Sequence, residues 1–117
     1  KDAGVPSMLV STSPRPMVEN VMRQSEGLFA GYVCGDDPVA HKPDPAPYLL
    51  ALERLKAEKH STIIIEDSTI GIAAGKAAGC VVFGLTTSFD KQTLLEAGAN
   101  YAFDTYEEVA FAFSCPL

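Results

Sequence analysis

Several things are scarce in this chain of 117 residues, and each shortage narrows what it can be. Cysteine occurs three times, as Cys34, Cys80 and Cys115, without a Cys-x-x-Cys pair, so neither a disulfide framework nor a zinc site is expected and a reducing, cytoplasmic setting fits best. The two histidines, His41 and His60, have no neighbour at metal-ligand spacing and read as solvated or capping residues. Basic residues are outnumbered nine to fifteen, giving a net charge of -6, which repels phosphate backbones and anionic lipid; nucleic acid is not an expected partner. No apolar run approaches the ~18 residues a membrane span needs. The start, Lys-Asp-Ala-Gly-Val-Pro, lacks the basic-then-apolar order of a signal peptide. No repeat, linker or low-complexity stretch is visible.

Apolar residues make up 47% and charged residues 21%, the balance of an ordinary soluble domain, and the length allows one core over residues 1–117. Short apolar runs alternate with helix-length amphipathic stretches, so the predicted class is α/β with a parallel sheet and flanking helices. A strand is expected over Ser7 to Ser11 and a helix over Pro16 to Glu26, with Ser13 available as its cap. A second strand is expected at Tyr32 to Cys34. Tyr48, Leu49, Leu52 and Leu55 recur at helical spacing and predict an amphipathic helix over Ala46 to Lys59. Thr62-Ile63-Ile64-Ile65 is β-branched and continuously apolar, the pattern of a strand covered on both faces. A Gly/Ala/Ile helix from Ile70 to Ala78, able to approach a sheet closely, stops at Gly79 and precedes a strand at Val81 to Leu85. A helix at Lys91 to Ala97, a strand at Tyr101 to Phe103 and a helix from Tyr106 to Phe113 complete the order. The opening Lys-Asp-Ala-Gly-Val looks like the last turn of a helix already under way, so earlier sequence is expected to be missing.

In parallel α/β sheets ligands gather at the C-terminal ends of strands. Glu66-Asp67-Ser68 ends the isoleucine strand with two adjacent carboxylates, and such a pair attracts a hard cation such as Mg2+, held by one or two carboxylates, waters and a phosphate oxygen. The plainer alternative has Asp67 or Ser68 capping the next helix while Glu66 meets water. Ser11-Thr12-Ser13 ends the first strand just before a helix, where hydroxyls and N–H groups can hold phosphoryl oxygens; simple capping would also account for Ser13. Lys42 stands in a proline-stiffened loop, His41-Lys42-Pro43-Asp44-Pro45, and is either a fixed ammonium for phosphate or a solvated side chain. Asp36, Asp37 and Asp44 in that loop are read as solvated or turn residues.

Taken in order, Met8-Leu9-Val10-Ser11-Thr12-Ser13, His41-Lys42-Pro43-Asp44-Pro45 and Ile65-Glu66-Asp67-Ser68-Thr69-Ile70-Gly71 through Gly79 closely resemble the haloacid dehalogenase superfamily, in its β-phosphoglucomutase-like and phosphoglycolate-phosphatase-like branch. Nearly the whole chain takes part, including Leu95-Glu96-Ala97-Gly98-Ala99-Asn100-Tyr101. The resemblance implies a partial Rossmann-like core in which Ser11, with Thr12, binds the transferring phosphoryl, Lys42 neutralises it, and Glu66 and Asp67 bind Mg2+. The implied substrate is a small phosphorylated metabolite. The family's first motif, an Asp-x-Asp whose first aspartate attacks phosphorus, is nowhere in this sequence, and neither is the helical cap domain.

In the resembled fold the strand carrying that motif is central, between the strand ending at Ser11 and the one ending at Glu66. Strands lie ~4.8 Å apart, so the two neighbours are expected roughly 10 Å apart, flanking a slot. Unsatisfied buried N–H and C=O groups cost on the order of 1 to 3 kcal/mol each, so closure of the neighbours, insertion of a partner's strand or self-association is expected. Without a nucleophile the isolated chain is expected to be inactive. Two other readings stay open: a non-catalytic binding or assembly module of the same fold, and a receiver-type phospho-accepting module, whose acids precede its hydroxyl and lysine instead of following them.

Overall fold

The computed structural model describes residues 7–25, 27–105 and 107–109. The elements wholly within the described residues alternate between strand and α-helix: β1 Met8–Val10, α1 Arg15–Gln24, β2 Gly31–Val33, α2 Ala46–Leu55, β3 Ile63–Glu66, α3 Thr69–Ala77, β4 Val81–Leu85, α4 Lys91–Glu96 and β5 Tyr101–Phe103. All pairings are parallel, but they form two sheets, β1-β2 and β3-β4-β5. β1 and β3 therefore each keep one edge without a strand partner among the described residues. The parallel strands are thus divided into two sheets, with β1 and β3 not paired to each other.

α2 holds the two parts together. It packs on β1 and β2 on one side and on α3 on the other. The main core runs beneath it: Tyr48, Ile64, Ile72, Ala74, Val82 and Leu94 are buried in one cluster, and Val10 of β1 packs against it. Burying such side chains stabilises by roughly 1.5 to 3 kcal/mol each for the larger ones, which is enough to keep the halves docked without a shared ladder.

β3 is covered on one face only, a departure from the two-sided burial its sequence predicts. Ile64 and Glu66 point inward, while Ile63 and Ile65 are 37% and 40% exposed. On that outer face the apolar cover is a second cluster of Phe83, Leu85, Phe103 and Val109. Among the described residues it is drawn from β4, β5 and Val109, with none from β3.

The helix ends follow local chemistry with two exceptions. Asp90 accepts from Thr93 N and caps α4, and Ser68 accepts from Gly71 N and caps α3. Ser13 does not cap α1. Pro14 occupies that position without a side-chain bond, and the Arg15 N–H donates instead to Asp36 Oδ2 at 2.7 Å, from a loop 21 residues away. α2 stops at Leu55, short of the predicted Lys59, because Lys56 takes the left-handed conformation at φ 55°. Of the predicted terminal helix, residues 107–109 are helical and the remainder lies outside the described residues. Among the described residues no helix is long and apolar enough to cross a membrane, and Cys34 and Cys80 are buried free thiols.

Candidate active site

The C-terminal ends of β1 and β3 meet through one side chain. Lys42 Nζ donates to Glu66 Oε2 at 2.6 Å and to the Val10 carbonyl at 3.4 Å, spanning the break between the sheets. The pair is well removed from solvent, with Lys42 12% and Glu66 8% exposed at the side chain. An ammonium has three donors, and two are assigned. The third has no partner among the described residues.

Glu66 is saturated by comparison. Oε2 also accepts from the Tyr48 hydroxyl, and Oε1 accepts from Ser68 Oγ at 3.2 Å. Burial, followed by the Glu66 charge beside it, pushes the Tyr48 phenol far above its ordinary value, so it stays a donor. Lys42 Nζ also lies 5.0 Å from the Tyr48 ring centroid, over its face. Sequence periodicity marked Tyr48 only as a core residue; nothing local announces that its hydroxyl meets a carboxylate 18 positions away.

Gly71 makes this arrangement sterically feasible. A Cβ there would stand 2.0 Å from the Glu66 carboxyl carbon. The small-residue character of α3 is thus required by a side chain as well as by the sheet. Gly71→Ala is expected to displace the carboxylate and cost about 1 to 3 kcal/mol through overpacking, measurable as a lowered urea midpoint without a change in slope.

At the end of β1, Ser11 Oγ accepts from Ser13 N at 3.0 Å. That contact fixes the oxygen while leaving its own proton without an acceptor among the described residues, so the hydroxyl is free to donate to an anion. Thr12 is exposed. Its carbonyl approaches Gly35 so closely that a Cβ would come within 2.1 Å. Gly35 N in turn donates to Ser13 O at 2.7 Å, tying this turn to the end of β2.

Asp67 differs from its neighbour. It is exposed, and Oδ2 accepts from Thr87 Oγ1 at 3.1 Å in the loop after β4. Its other oxygen has no partner among the described residues. Two adjacent carboxylates therefore do different work: Glu66 faces inward to Lys42, Tyr48 and Ser68, and Asp67 faces out. No three His, Cys, Asp or Glu side chains gather as a metal-holding group among the described residues. The donor chemistry still fits Mg2+, which takes one or two protein carboxylates and fills its other positions with water and phosphate.

The Asp36-Asp37 pair, read from sequence as solvated or turn residues, is the largest departure. Asp36 caps α1, as above. Asp37 is buried and accepts from the Cys34 N–H at 2.8 Å, from Arg15 at 3.2 Å and from Arg54 at 3.0 Å. Chiefly the Arg54 hydrogen bond, helped by Cys34 N–H and Arg15, holds its carboxyl well below the usual range. Asp44 does keep a turn role, accepting from Ala46 N at 2.9 Å.

Residues 1–79 match the model of the haloacid dehalogenase-like hydrolases. The chain belongs to that family. It is 40% identical over 96 residues to a phosphorylated carbohydrates phosphatase of Thermotoga maritima, covering 80% of this chain and 44% of the relative. Among solved structures, a provisionally named β-phosphoglucomutase from Thermotoga maritima superposes with a TM-score of 0.84 at 32% identity, over 96% of this chain and 54% of the other. CbbY from Rhodobacter sphaeroides, solved in complex with phosphate, superposes at 0.77 and 28% identity over 92% of this chain and 49% of its own. The chain thus spans less than half of that curated phosphatase and about half of these structures. A TM-score of 0.84 over nearly all of this chain also means that the two sheets keep the relative placement seen in a longer relative. β1 and β3 are not joined in one ladder among the described residues.

Proposed function

We propose that this chain carries the phosphoryl-binding and metal-binding side of a Mg2+-dependent phosphatase or phosphomutase acting on a small phosphorylated metabolite in the cytoplasm. The observation that supports it most is the Lys42 ammonium, fixed between the ends of two strands with one N–H that has no partner among the described residues. In this reading the Ser11 hydroxyl and the Thr12 backbone N–H donate to two phosphoryl oxygens, and Lys42 donates to a third while offsetting its charge. Asp67 holds Mg2+ with its free oxygen, and Glu66 acts behind it by orienting Lys42. The bound ion would supply charge neutralisation of the phosphoryl oxygens.

A nucleophile is missing from this account. No Asp-x-Asp occurs in the sequence, and the other aspartates near Lys42 are engaged as caps and ion partners. The chain alone is therefore expected not to turn over. The facing edges of β1 and β3 fit a strand supplied by a partner, or by a second copy, to complete the sheet. A non-catalytic module of the same fold is the competing reading, and the same missing nucleophile favours it.

NMR titration of the 117-residue chain with inorganic phosphate and Mg2+ tests the proposal. Shifts should centre on Ser11, Thr12 and the loop around Lys42, and Asp67→Asn should remove their dependence on Mg2+. Phosphate that perturbs a different surface, or Mg2+ dependence indifferent to Asp67→Asn, would overturn the site. Robust turnover of phosphate monoesters by the pure chain, lost in Asp67→Ala, would overturn the expected inactivity.

A further inference from the structure

Tyr48 does more than packing requires. It lies in the first turn of α2, buried in the cluster with Ile64 and Ile72, and a phenylalanine would fill that space equally well. A buried phenol needs an acceptor. The acceptor here is Glu66 Oε2, the same oxygen that receives Lys42, and the face of the Tyr48 ring backs that lysine's ammonium at 5.0 Å. One side chain thus touches both members of the ion pair at the break in the sheet. Ser68 holds the other carboxylate oxygen, at 3.2 Å, so without the phenol a carboxylate free to turn about that contact would carry Lys42 with it.

We propose that Tyr48 is a positioning residue: its hydroxyl sets the Glu66 rotamer and its ring backs the Lys42 ammonium, so that the lysine's uncommitted N–H is presented to a phosphoryl oxygen. This rests on the phosphoryl-binding reading of Lys42. The group that Tyr48 acts through is Lys42, and no contact of Tyr48 with the substrate is implied.

The test is NMR of the 15N-lysine-labelled 117-residue chain, reading the exchange of lysine ammonium protons with water. Lys56 and Lys91, both exposed, serve as internal references. In the native chain Lys42 should exchange far more slowly than either. Tyr48→Phe keeps the ring and is expected to accelerate Lys42 exchange about five-fold, the consequence of losing one hydrogen bond of ordinary strength, and Tyr48→Leu should accelerate it further. Val82→Ala, in the same core and paired in the sheet with Ile64 while Glu66 pairs with Gly84, serves as the control for general loosening. It should lower the melting temperature and leave Lys42 exchange near the native rate. Native exchange in Tyr48→Phe, or equal acceleration in Val82→Ala, would overturn the proposal. Inorganic phosphate with Mg2+ reads the other layer: if it fails to slow Lys42 exchange in the native chain while Tyr48→Phe still accelerates it, the phosphoryl reading falls and the positioning geometry stands.

Discussion

Asp37→Ala is expected to destabilise the fold by about 3 kcal/mol at neutral pH, roughly a fifth or more of the margin of an ordinary domain. The carboxylate is the common acceptor for groups from three elements: Arg15 at the start of α1, Arg54 near the end of α2, and the Cys34 N–H just beyond β2. Arg54 adds a bond to the Tyr32 carbonyl at 2.7 Å. Asp37 itself is 3% exposed, whereas the two guanidinium side chains are 40% and 38% exposed. Truncation therefore leaves the arginines able to recover water, and the cost falls on the orphaned Cys34 N–H and on the lost charge-assisted bonds. This places the value at the low end of what breaking a buried pair costs. The pH dependence gives a second measure. The folded-state carboxyl titrates well below the unfolded value of about 3.9, so its contribution is complete above that value and fades as pH falls toward the folded one. Urea unfolding of the native chain and of Asp37→Asn should differ by a constant amount from neutrality to about pH 5 and converge below about pH 4. A gap that persists unchanged into acid would remove the ion cluster as its cause.

This cluster also marks where sequence reasoning stops. Asp36-Asp37 follows Gly35 in a polar loop, and local chemistry assigns such residues to turns and solvent. Apart from the Cys34 N–H, their partners lie 17 to 22 positions away, on helices whose faces no local pattern orients. Tyr48 was similarly opaque: its spacing shows that it is buried, while its hydroxyl's acceptor depends on how α2 crosses the break in the sheet. By contrast, β4 and β5 were legible to the residue, because β-branched or aromatic runs bounded by turn residues need only local information. The placement of Ser11 just beyond β1 and of Glu66 and Asp67 at the end of β3 was readable too, since both strands were marked by their apolar runs. The outer face of β3 is a different case. Three isoleucines predict cover on both sides, and Ile63 and Ile65 are left half-open because the second cluster stops at β4. The pattern registers a neighbour that the described residues do not supply.

The Lys42–Glu66 pair ties the ends of β1 and β3 together at the proposed site, and removing one partner separates its structural role from its proposed one. Lys42→Met is expected to cost about 3 kcal/mol, because a carboxylate that is 8% exposed loses its counter-charge and keeps only the Tyr48 and Ser68 donors. Glu66→Gln should cost less, since the amide oxygen still accepts and Lys42 retains the Val10 carbonyl. The double variant, Lys42→Met with Glu66→Gln, should recover most of the loss: neither remaining group carries charge, and near-isosteric replacement of a buried pair is close to neutral. A double-mutant cycle by urea denaturation would then return a coupling of about 3 kcal/mol or more, and a coupling near zero would make the pair a spectator of the fold. Phosphate binding should behave in the opposite way. It depends on the ammonium and not on the pair's contribution to stability, so the double variant should fold about as well as the native chain and fail to respond to inorganic phosphate. Recovered stability without recovered binding is the outcome that assigns Lys42 to the anion; recovery of both would leave the ion pair as a tie between two sheets and nothing more.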